Sequence, residues 1–338
     1  MFSFCSCAID KPGLRVENKK MRAMKFLLLT ICLLAVLPIA HAGAHSTVRE
    51  NKKPFLFSPQ NTLIGAMHTH VIKGDESLVE LAPRYDVGYN EITDANPHVD
   101  PWVPDKGTVL RIPGLKVLPD APHKGIVVNI AEMRLYYYFE NKGLKDKKDK
   151  KNKKNLSVVT FPIGIGMEGF GTPPGTYRVV QKIKNPAWYV PASIRKQDPE
   201  LPLFIPPGPD NPMGRFALRL SRPTYLIHGT NRPFCVGLRA SHGCIRLYGR
   251  DIEQLFDMVP EGTLVTIIYQ PVKVGVRNGD IYVEAHRDYL KREEDPYDAI
   301  ARWLLLWQNY HPINGKVLRL VLKERTGIPV DITEHPGI

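Results

Sequence analysis

Apolar positions along this chain recur at two different periods. Between residues 70 and 112 the spacing is that of short helices framed by strands. His70-Val-Ile-Lys leads into a Gly74-Asp75 turn, and Leu78, Leu81 and Ala82 then share one helical face behind an N-cap at Asp75 or Ser77. A second short helix is predicted over residues 89–95 and a closing strand over 108–112, giving a β-α-α-β unit. From Gly125 onward β-branched and aromatic residues dominate, and strands are predicted over 126–130, 135–139, 157–163, 177–183, 217–220, 225–227 and 264–269. One amphipathic helix interrupts them at 250–259, with Leu255, Phe256 and Val259 on one face and Asp251 near its N-terminus. Glycine- and proline-rich stretches at 164–176 and 206–214 read as structured loops. The fold class that follows is mainly β, with a compact domain over 123–271 preceded by the small β-α-α-β unit over 68–114.

The flanks differ in character. Residues 43–67 and 115–124 carry prolines and little periodicity, and read as linkers. Segments 272–276 and 281–285 flank an Arg-Asn-Gly-Asp turn and predict a hairpin, the start of a C-terminal extension over 272–338. Two helical segments follow, and the Trp303-Leu-Leu-Leu-Trp307 run in the first reads as a core-packing stripe. At the other end, a basic stretch from Met21, a 14-residue apolar run over 26–39 and Ala40-His-Ala42 have the three parts of a secretory signal, with cleavage expected after Ala42 and a true start at Met21 or Met24. The run is too short to span a bilayer comfortably, so 1–42 is expected to be removed and the chain to work in the periplasm.

Charge changes the picture little. The net charge of +12 falls to +8 once the six basic and two acidic side chains of residues 1–42 are removed. Eight lysines and two aspartates between 142 and 154 account for +6 of that, so basicity describes one insertion at a hairpin end. Such a run is a solvated, mobile loop or, more specifically, a weak tether to an anionic polymer or membrane surface. It lacks the interleaved aromatics of a nucleic-acid site. The glycines at 164–171 have no Walker lysine or following helix, which excludes nucleotide binding, and no cofactor is expected.

The candidate chemistry lies in Tyr225–Leu247, where His228, His242, Cys244 and Arg246 fall within the 19 positions 228–246. A thiol becomes a nucleophile through a nearby base or a cationic setting, and His228, His242 and Arg246 can supply these around Cys244. His228 at a strand end is the candidate base, and His242 tunes the thiol's surroundings. Gly243 allows a tight turn that aims its own amide and that of Cys244 at a developing oxyanion, and Arg246 offers a planar fork to a carboxylate. Each of these residues also has an ordinary structural use. Only Cys235 and Cys244 remain after processing, and in an oxidising compartment they can pair, which would mask the nucleophile. A zinc site of His228, Cys235, His242 and Cys244 lacks paired Cys-x-x-Cys spacing and is set aside, so no metal is expected.

Ile227-His-Gly-Thr230 followed by Ser241-His-Gly-Cys-Ile-Arg-Leu247 closely resembles the signature of the YkuD-type L,D-transpeptidase domain. Supporting matches are residues 128–136, Gly164-Ile-Gly166, Thr172-Pro-Pro-Gly-Thr176, Asn185-Pro-Ala-Trp188 and 206–214. The resemblance implies a β-sandwich-like catalytic domain over 123–271. It also implies a two-step acyl transfer in which Cys244 attacks the meso-diaminopimelate carbonyl of a peptidoglycan tetrapeptide stem. D-alanine leaves with a proton from His228, and an amine then resolves the thioester. That amine is a second stem, giving a 3→3 cross-link, or the lysine of an outer-membrane lipoprotein, and water in its place would give carboxypeptidase activity. The resemblance further implies that the carbonyl of Gly229 orients His228, and that Arg246, Ser241 and Thr230 contact substrate. Segment 68–114 resembles a LysM domain on Gly74-Asp75, Leu78, Ala82, Asn96-Pro97 and residues 107–113, which implies glycan binding. The competing readings are a sortase-like transpeptidase, whose arginine stands on a later strand, and a non-catalytic wall-binding protein with a disulfide-masked thiol.

Overall fold

The computed structural model describes residues 51–141, 156–291, 295–306 and 312–335. The expected signal segment and the lysine-rich insertion at 142–154 lie outside the described residues. The central element is a nine-stranded mixed sheet, in the order Phe55–Leu56, Leu156–Pro162, Arg134–Glu140, Gly125–Asn129, Leu264–Ile268, Gly175–Lys184, Phe216–Leu220, Leu226–His228 and Ile245–Arg246. Two neighbouring pairs are parallel: Leu264–Ile268 on Gly125–Asn129, and Leu226–His228 on Ile245–Arg246. The sheet encloses a core built from the alternate side chains Ile126, Val128, Leu135, Phe161, Leu218, Ile227 and Ile245, closed by Ile252, Leu255 and Phe256 of the helix Gly249–Met258. The opposite face of the central strands packs Val127, Tyr136, Tyr138 and Val158 against Ile64 and Leu118.

The β-α-α-β unit is present as strand His68–Val71, helices Leu78–Arg84 and Tyr89–Ala95, and strand Val109–Ile112. The first helix starts in a capping box, in which Ser77 Oγ accepts from the Glu80 amide and the Glu80 carboxylate accepts from the Ser77 amide. Ser77 rather than Asp75 is therefore the cap. The unit has its own small core of Ile72, Leu78, Leu81, Ile92, Leu110 and Ile112.

Both expected linkers are structured where they are described. Phe55–Leu56 adds an edge strand beside Ser157 and Val158, and Leu63–Ile64 pairs with Lys116–Val117. Their brevity hid them, because two-residue strands carry no readable period. The C-terminal segment forms the hairpin Val272–Arg277 with Asp280–Ala285, joined by a third strand, Val330–Asp331. Helices Pro296–Leu306 and Gly315–Glu324 cover it, but the apolar run packs only in part. Ile300 is buried, whereas Leu305 and Leu306 are 73% and 81% exposed.

Three units meet on a line of buried charge. Glu91 receives Arg134 through two hydrogen bonds of 2.9 and 2.7 Å and Lys116 at 2.7 Å. Next to it, Lys273 of the hairpin reaches Glu132 at 2.7 Å and Glu284 at 3.0 Å, and His286 lies 2.8 Å from Glu284. Buried ions survive only when paired and hydrogen-bonded. These are, since the Val117 amide donates to Glu284 at 2.6 Å and the Tyr136 hydroxyl to Glu132 at 2.9 Å.

Candidate active site

Parallel pairing of the last two strands sets Ile227 beside Ile245 and His228 beside Arg246. Both isoleucines point into the core, where full burial is worth about 1.5–3 kcal/mol each, so strand alternation fixes His228 and Arg246 on the opposite face. Cys244 directly precedes the strand Ile245–Arg246. The burial of two isoleucines thus sets His228 and Arg246 side by side.

His228 is 3% exposed, and its Nδ1 donates to the carbonyl of Gly229 at 2.6 Å. A carbonyl only accepts, so the proton sits on Nδ1 and Nε2 keeps its lone pair. Burial, aided by the Arg246 charge, lowers the imidazole pKa to about 3, although the carbonyls of Gly229 and Met213 act in the opposite sense. The resting base is neutral. The Cys244 thiol donates to the Thr224 carbonyl at 3.7 Å. Its burial raises the pKa, partly offset by the Leu226 amide and by Arg246. Both shifts favour the uncharged forms of imidazole and thiol.

The turn before the nucleophile is held on every side. Gly243 has φ +103°, and a Cβ there would fall 2.8 Å from the Tyr225 ring, so only glycine fits. Ser241 Oγ accepts from the Gly243 amide at 3.2 Å and donates to the Cys244 carbonyl at 2.6 Å. Thr172 Oγ1 donates to the Gly243 carbonyl at 2.9 Å and accepts from the Gly166 amide at 3.1 Å. The Gly243 amide is thus engaged by Ser241, which is itself buried. Thr230 likewise closes its own loop, accepting from the Arg232 amide at 3.0 Å.

His242 is half-buried, with its ring edge-on to Phe170 at 4.6 Å and Nε2 within 3.4 Å of Gln197 Oε1. Burial and the Arg246 charge lower its pKa. Arg246 gives one Nη1 hydrogen bond to Ala240 at 3.2 Å, and its backbone bridges Gly164 in both directions at 2.8 and 2.9 Å. Its charge is felt at His228, His242 and Cys244 alike.

Cys235 and Cys244 are both thiols, and no disulfide joins them. Cys235 is fully buried in the turn Pro233–Cys235, so the masked-nucleophile reading is not favoured. His228, Cys235, His242 and Cys244 do not assemble into a ligand set. Among the described residues the clusters with such proximity are Glu132, Glu284 and His286, whose carboxylates Lys273 already occupies, and Asp280, Asp331 and His335.

With this geometry in hand, residues 123–267 match the family model of the L,D-transpeptidase catalytic domain (YkuD). The chain is 41% identical over 287 residues to the probable L,D-transpeptidase YcfS of Escherichia coli, spanning 81% of this chain and 86% of that one. The chain belongs to the L,D-transpeptidase family. The probable L,D-transpeptidase ErfK/SrfK of the same organism is 36% identical over 319 residues, covering 90% of this chain and 96% of its own. The solved catalytic domain of the Enterococcus faecium L,D-transpeptidase acylated by ertapenem is 21% identical, with 44% of this chain and 100% of that chain covered and a TM-score of 0.31.

Sequence reasoning on this transpeptidase assigned no role to three residues that complete the site. Thr172 braces Gly243, Tyr225 fills the space that Gly243 leaves, and Asn211 pins the loop beside His228. The Asn211 side-chain amide donates to the carbonyls of Pro186 and Pro206 at 3.0 Å each, while its Oδ1 accepts from the Met213 amide at 2.9 Å. Thr172 and Asn211 both lie inside proline-glycine stretches legible as loops. What those loops touch is set by tertiary contacts that no local pattern encodes.

Proposed function

We propose that this L,D-transpeptidase acts on peptidoglycan stem peptides in the periplasm, reached through the export signal at 1–42. Cys244 Sγ attacks the carbonyl of meso-diaminopimelate in a donor tetrapeptide while its proton passes to His228 Nε2. The tetrahedral intermediate collapses with cleavage of the bond to D-alanine, which leaves with that proton. An amine then attacks the thioester, loses a proton to His228 and releases the thiol. A second stem as the amine gives a 3→3 cross-link, and a lipoprotein lysine attaches that protein to the wall. Arg246 steadies the carboxylate-bearing end of the donor, the Cys244 amide serves the oxyanion, and the β-α-α-β unit, read as LysM-like, holds glycan nearby.

What supports this reading is the pairing of His228 with Arg246, two residues after Cys244, with His228 neutral and oriented by Gly229. Intact mass after meropenem treatment tests it. The wild-type chain is expected to gain one adduct at Cys244 and Cys244→Ala none, and absence of adduct from the reduced wild type refutes the reading. Muropeptide analysis of a deletion strain then separates the acceptors, by loss of 3→3 cross-links or loss of lipoprotein-linked stems.

A further inference from the structure

The peptide from Cys235 to Ser241, which leads into the nucleophile, is gripped from two sides. On one side lies the segment 163–167: the Gly237 amide donates to Ile163 at 3.0 Å, the Ile165 amide to Leu238 at 3.0 Å and the Met167 amide to Ser241 at 2.8 Å. On the other lies the β-α-α-β unit, where the Tyr89 amide donates to the Val236 carbonyl at 3.1 Å. Two glycines make this approach feasible. Gly237 has φ +86°, and a Cβ on it would meet the Tyr89 nitrogen at 2.2 Å, while a Cβ on Gly88 would meet Gly237 Cα at 3.0 Å. No side chain separates the two backbones.

The outer grip is anchored. Glu91 accepts from the Gly88 amide at 2.7 Å while holding Arg134 of the central sheet and Lys116, so one buried carboxylate caps the helix and docks it. The Asn90 side-chain amide donates to the Glu132 carbonyl at 3.0 Å, the Tyr248 hydroxyl to the Val87 carbonyl at 3.0 Å, and Arg250 to Asp86. These contacts fix the unit against the central sheet and the start of the helix Gly249–Met258, beside the segment 235–241.

We propose that the N-terminal β-α-α-β unit is a wall of the active site, with Gly88 and Tyr89 acting as positioning residues for Cys244 through the segment 235–241. The catalytic segment alone is then incomplete. Displacing the Gly88–Gly237 contact shifts the turn at Gly243, which Thr172 and Ser241 hold from within, and moves sulfur off its line of attack.

The test uses the full chain with Gly88→Ala and, as a control in the same unit, Gly74→Ala, where nothing lies within 4 Å of an added Cβ. Gly88 has φ −82°, which alanine adopts without strain, and the added Cβ meets Asn90 Oδ1 at 2.7 Å and Gly237 Cα at 3.0 Å, so the substitution presses on both. At saturating meropenem, Gly88→Ala is expected to reach full adduct stoichiometry with a first-order acylation rate lowered about tenfold or more, because small misplacements are costly near reacting atoms. Its apparent dissociation constant for the drug should stay near the wild-type value, amides 235–241 should exchange hydrogen faster, and Gly74→Ala should match wild type. A wild-type rate in Gly88→Ala with unchanged exchange overturns the proposal, as does an equal loss in both variants. Should Gly88→Ala not fold, wild-type hydrogen exchange decides: Tyr89 and Gly237 amides opening together support the clamp, and Gly237 staying protected while Tyr89 exchanges overturns it. A wild type without any adduct would refute the acyl-transfer reading, while the exchange measurement would still judge the clamp.

Discussion

The state of His228 sets the pH behaviour of this enzyme. Its pKa is depressed to about 3 by burial first and by Arg246 second, so it remains neutral where an ordinary imidazole, near 6.5, takes up a proton. Wild-type acylation is therefore expected to hold its rate as pH falls from about 7 to about 5, where an unperturbed histidine base would lose most of it. Stopped-flow acylation across that range checks this, and a limb with a midpoint near 6.5 would contradict it. The same shift has a stability consequence. The unfolded chain binds a proton at residue 228 below about 6.5 that the native state refuses, so this contribution is complete above 6.5 and is lost progressively as pH falls toward 3. The urea midpoint of wild type should accordingly drop more between about pH 7 and pH 4 than that of His228→Gln.

Among the elements, the helix Tyr89–Ala95 does most with least. Seven residues supply the Glu91 carboxylate, which its cations hold well below the usual range despite the opposing effect of burial. Glu91→Gln removes the negative charge from between Arg134 and Lys116 and leaves two buried cations. Breaking such a buried pair costs about 3–5 kcal/mol, which is the expected fall in unfolding free energy in urea at neutral pH. A fall below about 1 kcal/mol would show the cluster to be solvated. This helix was legible from Ile92 and Ala95 at helical spacing, and the long strands were legible from their β-branched alternation. The signature residues around Cys244 were legible as chemistry. Three features were not: the partners of Glu91, the short strands at 55–56 and 63–64, and the hairpin of Trp188–Tyr189 with Phe204–Ile205, together with the helix Ala192–Gln197 inside it. Each depends on contacts between residues far apart in the chain, or is too short to show a period.

At the scale of the whole molecule, the expected beads joined by linkers become one body. Linker residues form strands, buried ion pairs cross both boundaries, and the C-terminal hairpin closes the second ionic cluster through Lys273. One cooperative thermal transition is the expected result, with the β-α-α-β unit and the catalytic sheet losing structure together. Calorimetry with hydrogen exchange on the full chain checks this, and two resolved transitions would count against it.

Lys273 also imposes an order in time. Glu132 is synthesised 141 residues before the lysine that neutralises it, and Val117 stands 167 residues before Glu284, to which its amide is bound. Contacts of such sequence separation form late and slow a fold's completion. Until the hairpin emerges, the half-made sheet keeps an uncompensated carboxylate at Glu132.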